Sequence, residues 1–149
     1  MNEPPENRAG PAADLAALLE EALALQGRGE PESAETLFKA ILSRDPRHFV
    51  ANHQLGLIQI QRGSFIEAER TLGTTVEINP RSATAHLNLG IALYNQNRTA
   101  EALDHFQLSL IINPRNAEAL LNLGIVLQEL RRPQEALARL DLAVQTPPV

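Results

Sequence analysis

The sequence predicts an all-α solenoid, a right-handed superhelix of four helix-turn-helix units stacked head to tail. Three observations carry this. Pro46, Pro80, Pro114 and Pro148 stand 34 residues apart, and a constant period of that size marks one supersecondary unit copied along the chain. Within each period apolar residues recur at spacings of three and four, as in Leu87, Leu89 and Leu93 around Gly90, which is helical periodicity. Small residues also recur in register: Gly56, Gly90 and Gly124 at the eighth position of the unit, and Ala34, Ala68, Ala102 and Ala136 at the twentieth.

Residues 1–13 are acidic and rich in proline, a composition that predicts a disordered tail. The units then run over 15–48, 49–82, 83–116 and 117–149. In each, a first helix closes at a turn near Gly63, Asn97 or Arg132, and a second apolar stripe follows. Pro31 and Pro133 share one repeat position, where a first-turn proline sacrifices no helical hydrogen bond. Ser64 with Glu67 reads as a capping box, and Glu101 and Glu135 sit where a carboxylate meets the positive end of the helix dipole. Asp45-Pro46, Asn79-Pro80 and Asn113-Pro114 end the second helices, because proline disfavours the α region for its predecessor. The second helix of unit two, threonine-rich and interrupted by Gly73, has the poorest propensity of the internal helices. The absent side chains of Gly56, Gly90 and Gly124 imply close approach of the partner helix, with the alanines of the twentieth position expected to face them.

Composition excludes several functions. Net charge is -5 and the basic residues form no run, so a nucleic-acid or acidic-membrane surface is not expected. No cysteine is present, which removes disulfides and thiolate metal sites. No stretch approaches the ~20 apolar residues that cross a bilayer, and the N-terminus lacks the apolar run of a secretory signal. A cytoplasmic protein without cofactor or bound metal is the expectation. His48, His53, His86 and His105 form no i, i+4 pair and no catalytic motif surrounds them, so no enzyme activity is expected.

The period, the Leu-Gly pair with an apolar residue three positions on, the alanine, the Phe/Leu row (Phe38, Leu72, Phe106, Leu140) and the proline together resemble the tetratricopeptide repeat. The resemblance covers residues 15 to 148. It departs at position four, where the family's bulky aromatic is replaced by Leu18, Asn52, His86 and Leu120. It implies that first helices line a concave groove. Candidate groove residues are then Gln54, Asn88 and Asn122 at position six, with Leu57, Leu87, Ile91, Tyr94, Asn95, Leu121 and Ile125 around them. An amide both donates and accepts, which suits the backbone of an extended peptide. The Asn-Leu-Gly triplets at Asn88 and Asn122 are similar to the asparagine ladder in the repeats of O-linked GlcNAc transferases. The family's other mode, a Lys/Arg clamp on a C-terminal carboxylate, finds no cations here, and Glu20 and Glu118 would oppose it.

The function expected is therefore a protein-interaction scaffold holding an extended or helical peptide segment of an unidentified partner. The alternatives are self-assembly through uncapped repeat ends, with Leu137, Leu140, Leu142 and Val144 as an apolar edge on the last helix, and an accessory domain of a larger transferase-type enzyme.

Overall fold

Helices account for all the regular structure among the described residues, 11–145 of the computed structural model. They are α1 (Pro11–Gly27), α2 (Pro31–Arg44), α3 (Phe49–Arg62), α4 (Phe65–Ile78), α5 (Ala83–Tyr94), α6 (Thr99–Ile112), α7 (Ala117–Glu129) and α8 (Pro133–Gln145). Each 34-residue unit supplies one antiparallel pair, and the second helix of each pair packs on the first helix of the next. First helices of successive units also meet, as α3 and α5 do. Pro148 and most of the expected N-terminal tail lie outside the described residues, whereas 11–13 belong to α1.

The turns follow one rule. The fifteenth residue of every unit, Gly29, Gly63, Asn97 and Arg131, has a positive φ, of 77°, 81°, 60° and 60° respectively. A left-handed residue closes the first helix and lets the chain reverse, and glycine adopts that conformation without strain. The turn of unit four thus centres on Arg131, one residue before the Arg132 that the sequence suggested.

Between units, the last residue of the period caps the next helix. Ala51 N–H donates to His48 Nδ1 (3.2 Å), Ala85 N–H to Ser82 Oγ (3.2 Å) and Ala119 N–H to Asn116 Oδ1 (2.9 Å). The residues before the prolines terminate the second helices at ψ of 87° to 88°. Ser64 does occupy an N-cap position, but its hydroxyl makes no cap hydrogen bond, so the expected capping box is not formed. At the corresponding sites of units three and four, Arg98 and Arg132 instead donate to Glu101 and Glu135, three residues on.

The close approach at glycine is real, but its partner differs from the one expected. A Cβ on Gly56 would lie 2.6 Å from Leu72, one on Gly90 2.6 Å from Phe106 and one on Gly124 2.8 Å from Leu140. The side chain of position twenty-four, not the alanine of position twenty, fills the space that each glycine leaves. Of the alanines, the Ala136 carbonyl comes near, 3.5 Å from the Cβ site of Gly124, while Ala34, Ala68 and Ala102 are wholly buried. The aliphatic core divides into two clusters that meet inside unit two, one around Phe38, Ile41 and Leu55, the other from Ala68 to Ala136 around Phe106.

Candidate functional site

Position four explains why the expected aromatic row is missing. Asn52 Nδ2 donates to the carbonyl of Pro46 (3.0 Å), and His86 Nε2 donates to that of Pro80 (2.9 Å). In units two and three this polar side chain therefore ties the first helix to the proline that ends the preceding unit. In unit four the position holds Leu120, fully buried in the core. His86 also stacks on His105, with ring centroids 5.3 Å apart and the two Nδ1 atoms at 3.1 Å. Since the Pro80 carbonyl can only accept, the neutral His86 ring carries its hydrogen on Nε2, and His105 donates from Nδ1. Burial, and then His86, holds the pKa of His105 below the ordinary imidazole value. These histidines are a packing device, and the described residues contain no group of three or more acids and histidines placed to hold a metal.

The candidate groove runs along α3, α5 and α7. Its amide row is not uniform. Asn88 is 9 % exposed, and its Nδ2 donates to His53 Nε2 at 3.0 Å. His53 must accept with Nε2, so its hydrogen sits on Nδ1, and burial depresses its pKa. Asn122 is half-buried and donates back to the carbonyl of Glu118 in its own helix at 2.9 Å. Gln54 is half-buried. Of the row, Asn122 and Gln54 lie nearer to solvent, and Asn88 is engaged between helices.

A second link of the same register joins α5 to α7: the Tyr94 hydroxyl donates to Glu129 at 2.5 Å, which raises the tyrosine pKa. Both links join residues 35 apart, position five to position six in one case and position twelve to position thirteen in the other. The remaining pairs of the first kind are Leu19 with Gln54 and Leu87 with Asn122. A leucine accepts no hydrogen bond, so Asn122 turns to its own backbone. Asn95, a groove position by register, donates to the carbonyl of Ile91 at 2.8 Å and caps α5.

The apolar groove positions change along the array. Leu87 is 3 % exposed, and Ile91 packs against the core. Their equivalents on α7, Leu121 and Ile125, are 49 % and 38 % exposed. Leu57 on α3 is half-buried. The most open apolar ground is thus on α7, beside Asn122 and between the carboxylates of Glu118 and Glu129.

The sequence reading missed the polar contacts between units. Glu35, 8 % exposed, is gripped by Arg62 of the next unit and by Lys39 at 2.7 Å, and both hold its carboxyl below the ordinary pKa. Glu69 accepts from Gln96 (2.9 Å) and Arg98 (2.5 Å) of the following unit. Glu35 and Glu69 share position twenty-one, and Arg62 and Gln96 share position fourteen. That register was the available signal.

One model of the tetratricopeptide repeat matches residues 19–69 and 53–117, and a second model of the same repeat matches residues 105–138. Among solved structures, MamA 41-end from Desulfovibrio magneticus RS-1 is similar over 89 % of this chain and 75 % of its own, with TM-score 0.83 and 21 % identity. MamA of AMB-1 is similar over 91 % of this chain and 80 % of its own, with TM-score 0.78 and 25 % identity. A further MamA crystal structure has TM-score 0.83 at 19 % identity, over 89 % of this chain and 78 % of that one. No curated protein sequence matches the chain.

Proposed function

The chain belongs to the tetratricopeptide repeat family, and from that premise we propose that it is a protein-interaction scaffold whose groove along α3, α5 and α7 holds a peptide segment of a partner. The observation that carries this is the open apolar pair on α7: Leu121 and Ile125 are 49 % and 38 % exposed, while the same positions on α5 are covered. Side chains of this kind, one helical turn apart, form a pocket for an apolar anchor residue. Asn122 stands between them, and breaking its bond to its own helix frees an amide for the partner's backbone. Gln54 offers a second amide farther along. Asn88 contributes less directly, because engaging a ligand means giving up His53.

The charge of the site narrows the partner. Glu118 and Glu129 stand at the two ends of α7, and no lysine or arginine occupies the amide row. The groove therefore suits a neutral or basic apolar segment and disfavours a terminal carboxylate. No step of chemistry on a substrate is required of any residue here.

Peptides selected from a random displayed library on the intact chain test this reading. Against Leu121→Ala/Ile125→Ala and Asn122→Ala, the selected peptides should lose about tenfold or more in affinity, with the urea midpoint of each variant near that of the parent. Peptides that bind parent and variants equally would place the interaction elsewhere and overturn the proposal.

A further inference from the structure

We infer that His53 and Asn88 form a subsite between α3 and α5 whose selectivity is set by protonation. With His53 neutral, the pair presents a donor and an acceptor, the complement of a partner's amide. With His53 protonated, it presents donors and a positive charge, the complement of a partner's carboxylate. This rests on the groove reading above and names what the α3–α5 part of the groove selects.

The pair differs from the others of its register. Position five meets position six of the next unit as Leu19 with Gln54, His53 with Asn88 and Leu87 with Asn122. Only the middle combination joins two hydrogen-bonding side chains, and one of them titrates near neutral pH. Asn88 Nδ2 donates to His53 Nε2 at 3.0 Å, which leaves Asn88 Oδ1 and His53 Nδ1–H as the outer atoms. Neither has a protein partner, and neither is among the buried orphaned polar atoms of the described residues, which are Gln59 Oε1 and Ser109 Oγ. Both therefore reach solvent. A partner can use them without displacing the internal bond.

Protonation reverses the amide. A proton added at His53 Nε2 turns the acceptor into a donor and sets two N–H groups head to head. Asn88 is nearly buried, so water is poorly placed to separate them. A half-turn about the Asn88 Cβ–Cγ bond, a soft torsion, brings Oδ1 round to accept a charge-assisted bond. The amide NH2 then takes the outward place that Oδ1 held. The subsite loses its outward acceptor and gains a donor and a charge.

Nothing inside the chain is placed to neutralise that charge. Burial lowers the His53 pKa, and the ring of Phe49 lies beside it, with centroids 5.9 Å apart. Helix α5 contains no Asp, Glu, Lys or Arg, and its titratable residues, His86 and Tyr94, are bound to the Pro80 carbonyl and to Glu129. On α3, His48 caps the helix and Arg62 is held by Glu35 of α2. Glu69 of α4 is held by Arg98. The remaining charged side chains of α1, α2 and α4 are exposed, Glu20 of the amide column among them. The counter-charge thus falls to the partner. Glu118 and Glu129 stand on α7, so this selectivity belongs to the α3–α5 part of the groove.

Nuclear magnetic resonance of the intact, isotopically labelled chain tests the reversal without a ligand. Between about pH 7.5 and about pH 5, His53 Nε2 should change from an acceptor to a protonated nitrogen. At the same midpoint the Asn88 NH2 should lose its nuclear Overhauser contact with the His53 ring. A His53 that titrates while that contact persists overturns the inference. Peptides selected on the chain at about pH 7.5 then test the selectivity, each varied to Gln and to Glu at every position. At one position the ratio of Glu to Gln affinity should rise about fivefold or more as the pH falls. His53→Gln should hold that ratio constant, and His105→Gln should leave it rising as in the parent. A ratio indifferent to pH in the parent, rising equally in His53→Gln, or held constant by His105→Gln overturns the inference. Failure to select any peptide overturns the groove reading instead, and the resonances of the free chain still decide this one.

Discussion

Alanine at two glycines of this chain should shift stability in opposite directions, because one glycine is there for space and the other is not. Gly73 lies inside α4, with nothing within 4 Å of the position its Cβ would take. Gly73→Ala therefore gains the helix-propensity difference alone, about 0.5–1 kcal/mol. Gly90 lies inside α5, and its Cβ would fall 2.6 Å from Phe106 Cε1 and 2.8 Å from Cδ1. Phe106 is a rigid ring with no exposure, so relief requires α5 and α6 to separate. Overpacking of that kind costs about 1–3 kcal/mol, and subtracting the propensity gain of about 0.5–1 kcal/mol leaves Gly90→Ala less stable than the parent by up to about 2.5 kcal/mol. The two variants should differ by the overpacking cost itself, about 1–3 kcal/mol, or several degrees in Tm for a domain of this size. Urea unfolding followed by helical circular dichroism measures this, with equal m-values required for the comparison. Gly124→Ala should be milder than Gly90→Ala, since its obstacle is the half-buried, flexible Leu140. If Gly90→Ala proved as stable as Gly73→Ala, the argument that position twenty-four dictates glycine at position eight would fail.

Arg131→Gly should raise stability by about 0.5–1 kcal/mol, because Arg131 holds φ at 60° in the turn where units one and two use glycine; an unchanged or lower urea midpoint counts against strain at that turn. Acid should weaken the fold through His53 and His105. Both have folded pKa values below the ordinary one, so the unfolded chain binds protons more readily, and their contribution is complete above the ordinary imidazole value and lost as the pH falls from there through the depressed folded values. The urea midpoint should therefore drop between about pH 8 and about pH 5.5, and His105→Gln should flatten part of that slope. A midpoint independent of pH over this range would mean that neither ring is held neutral by the fold.

Much of the fold was legible because a repeat reports each structural need four times. The positive φ at position fifteen appears as Gly29, Gly63 and Asn97, three residues of the two types suited to it, so the turn could be placed to within a residue before any coordinates. Arg131 breaks the pattern, and the turn of unit four was accordingly placed one residue late. The glycines of position eight were rightly read as points of close approach. The partner was misassigned because Ala and Phe/Leu both recur in register on the second helix, and periodicity alone cannot say which of two recurring positions points at the glycine. Ser64 shows the opposite limit. A sequence pattern for a cap states what the side chain could accept, and the rotamer in the folded chain leaves it uncapped.

The groove was less legible for a reason that lies in the pairing between units. The amide row was visible as residues 34 apart, the repeat's own period. The hydrogen bond that settles Asn88 joins residues 35 apart, from one position in a unit to the next position in the following one, as does the bond of Tyr94 to Glu129. An alignment by columns does not display that diagonal. Along it, the partner of Asn88 is His53 and the partner of Asn122 is Leu87, so two identical residues in one column differ in burial and in hydrogen bonding. The same holds between second and first helices, where Glu35 reaches Arg62 and Glu69 reaches Gln96, while the same two positions of the third interface are Leu103 and Leu130. Substitutions in this chain are therefore better judged by their diagonal partner than by their column. Asn88→Ala should disturb the packing of α3 on α5 by orphaning His53, whereas Asn122→Ala removes only a bond within α7 and reports on the groove alone.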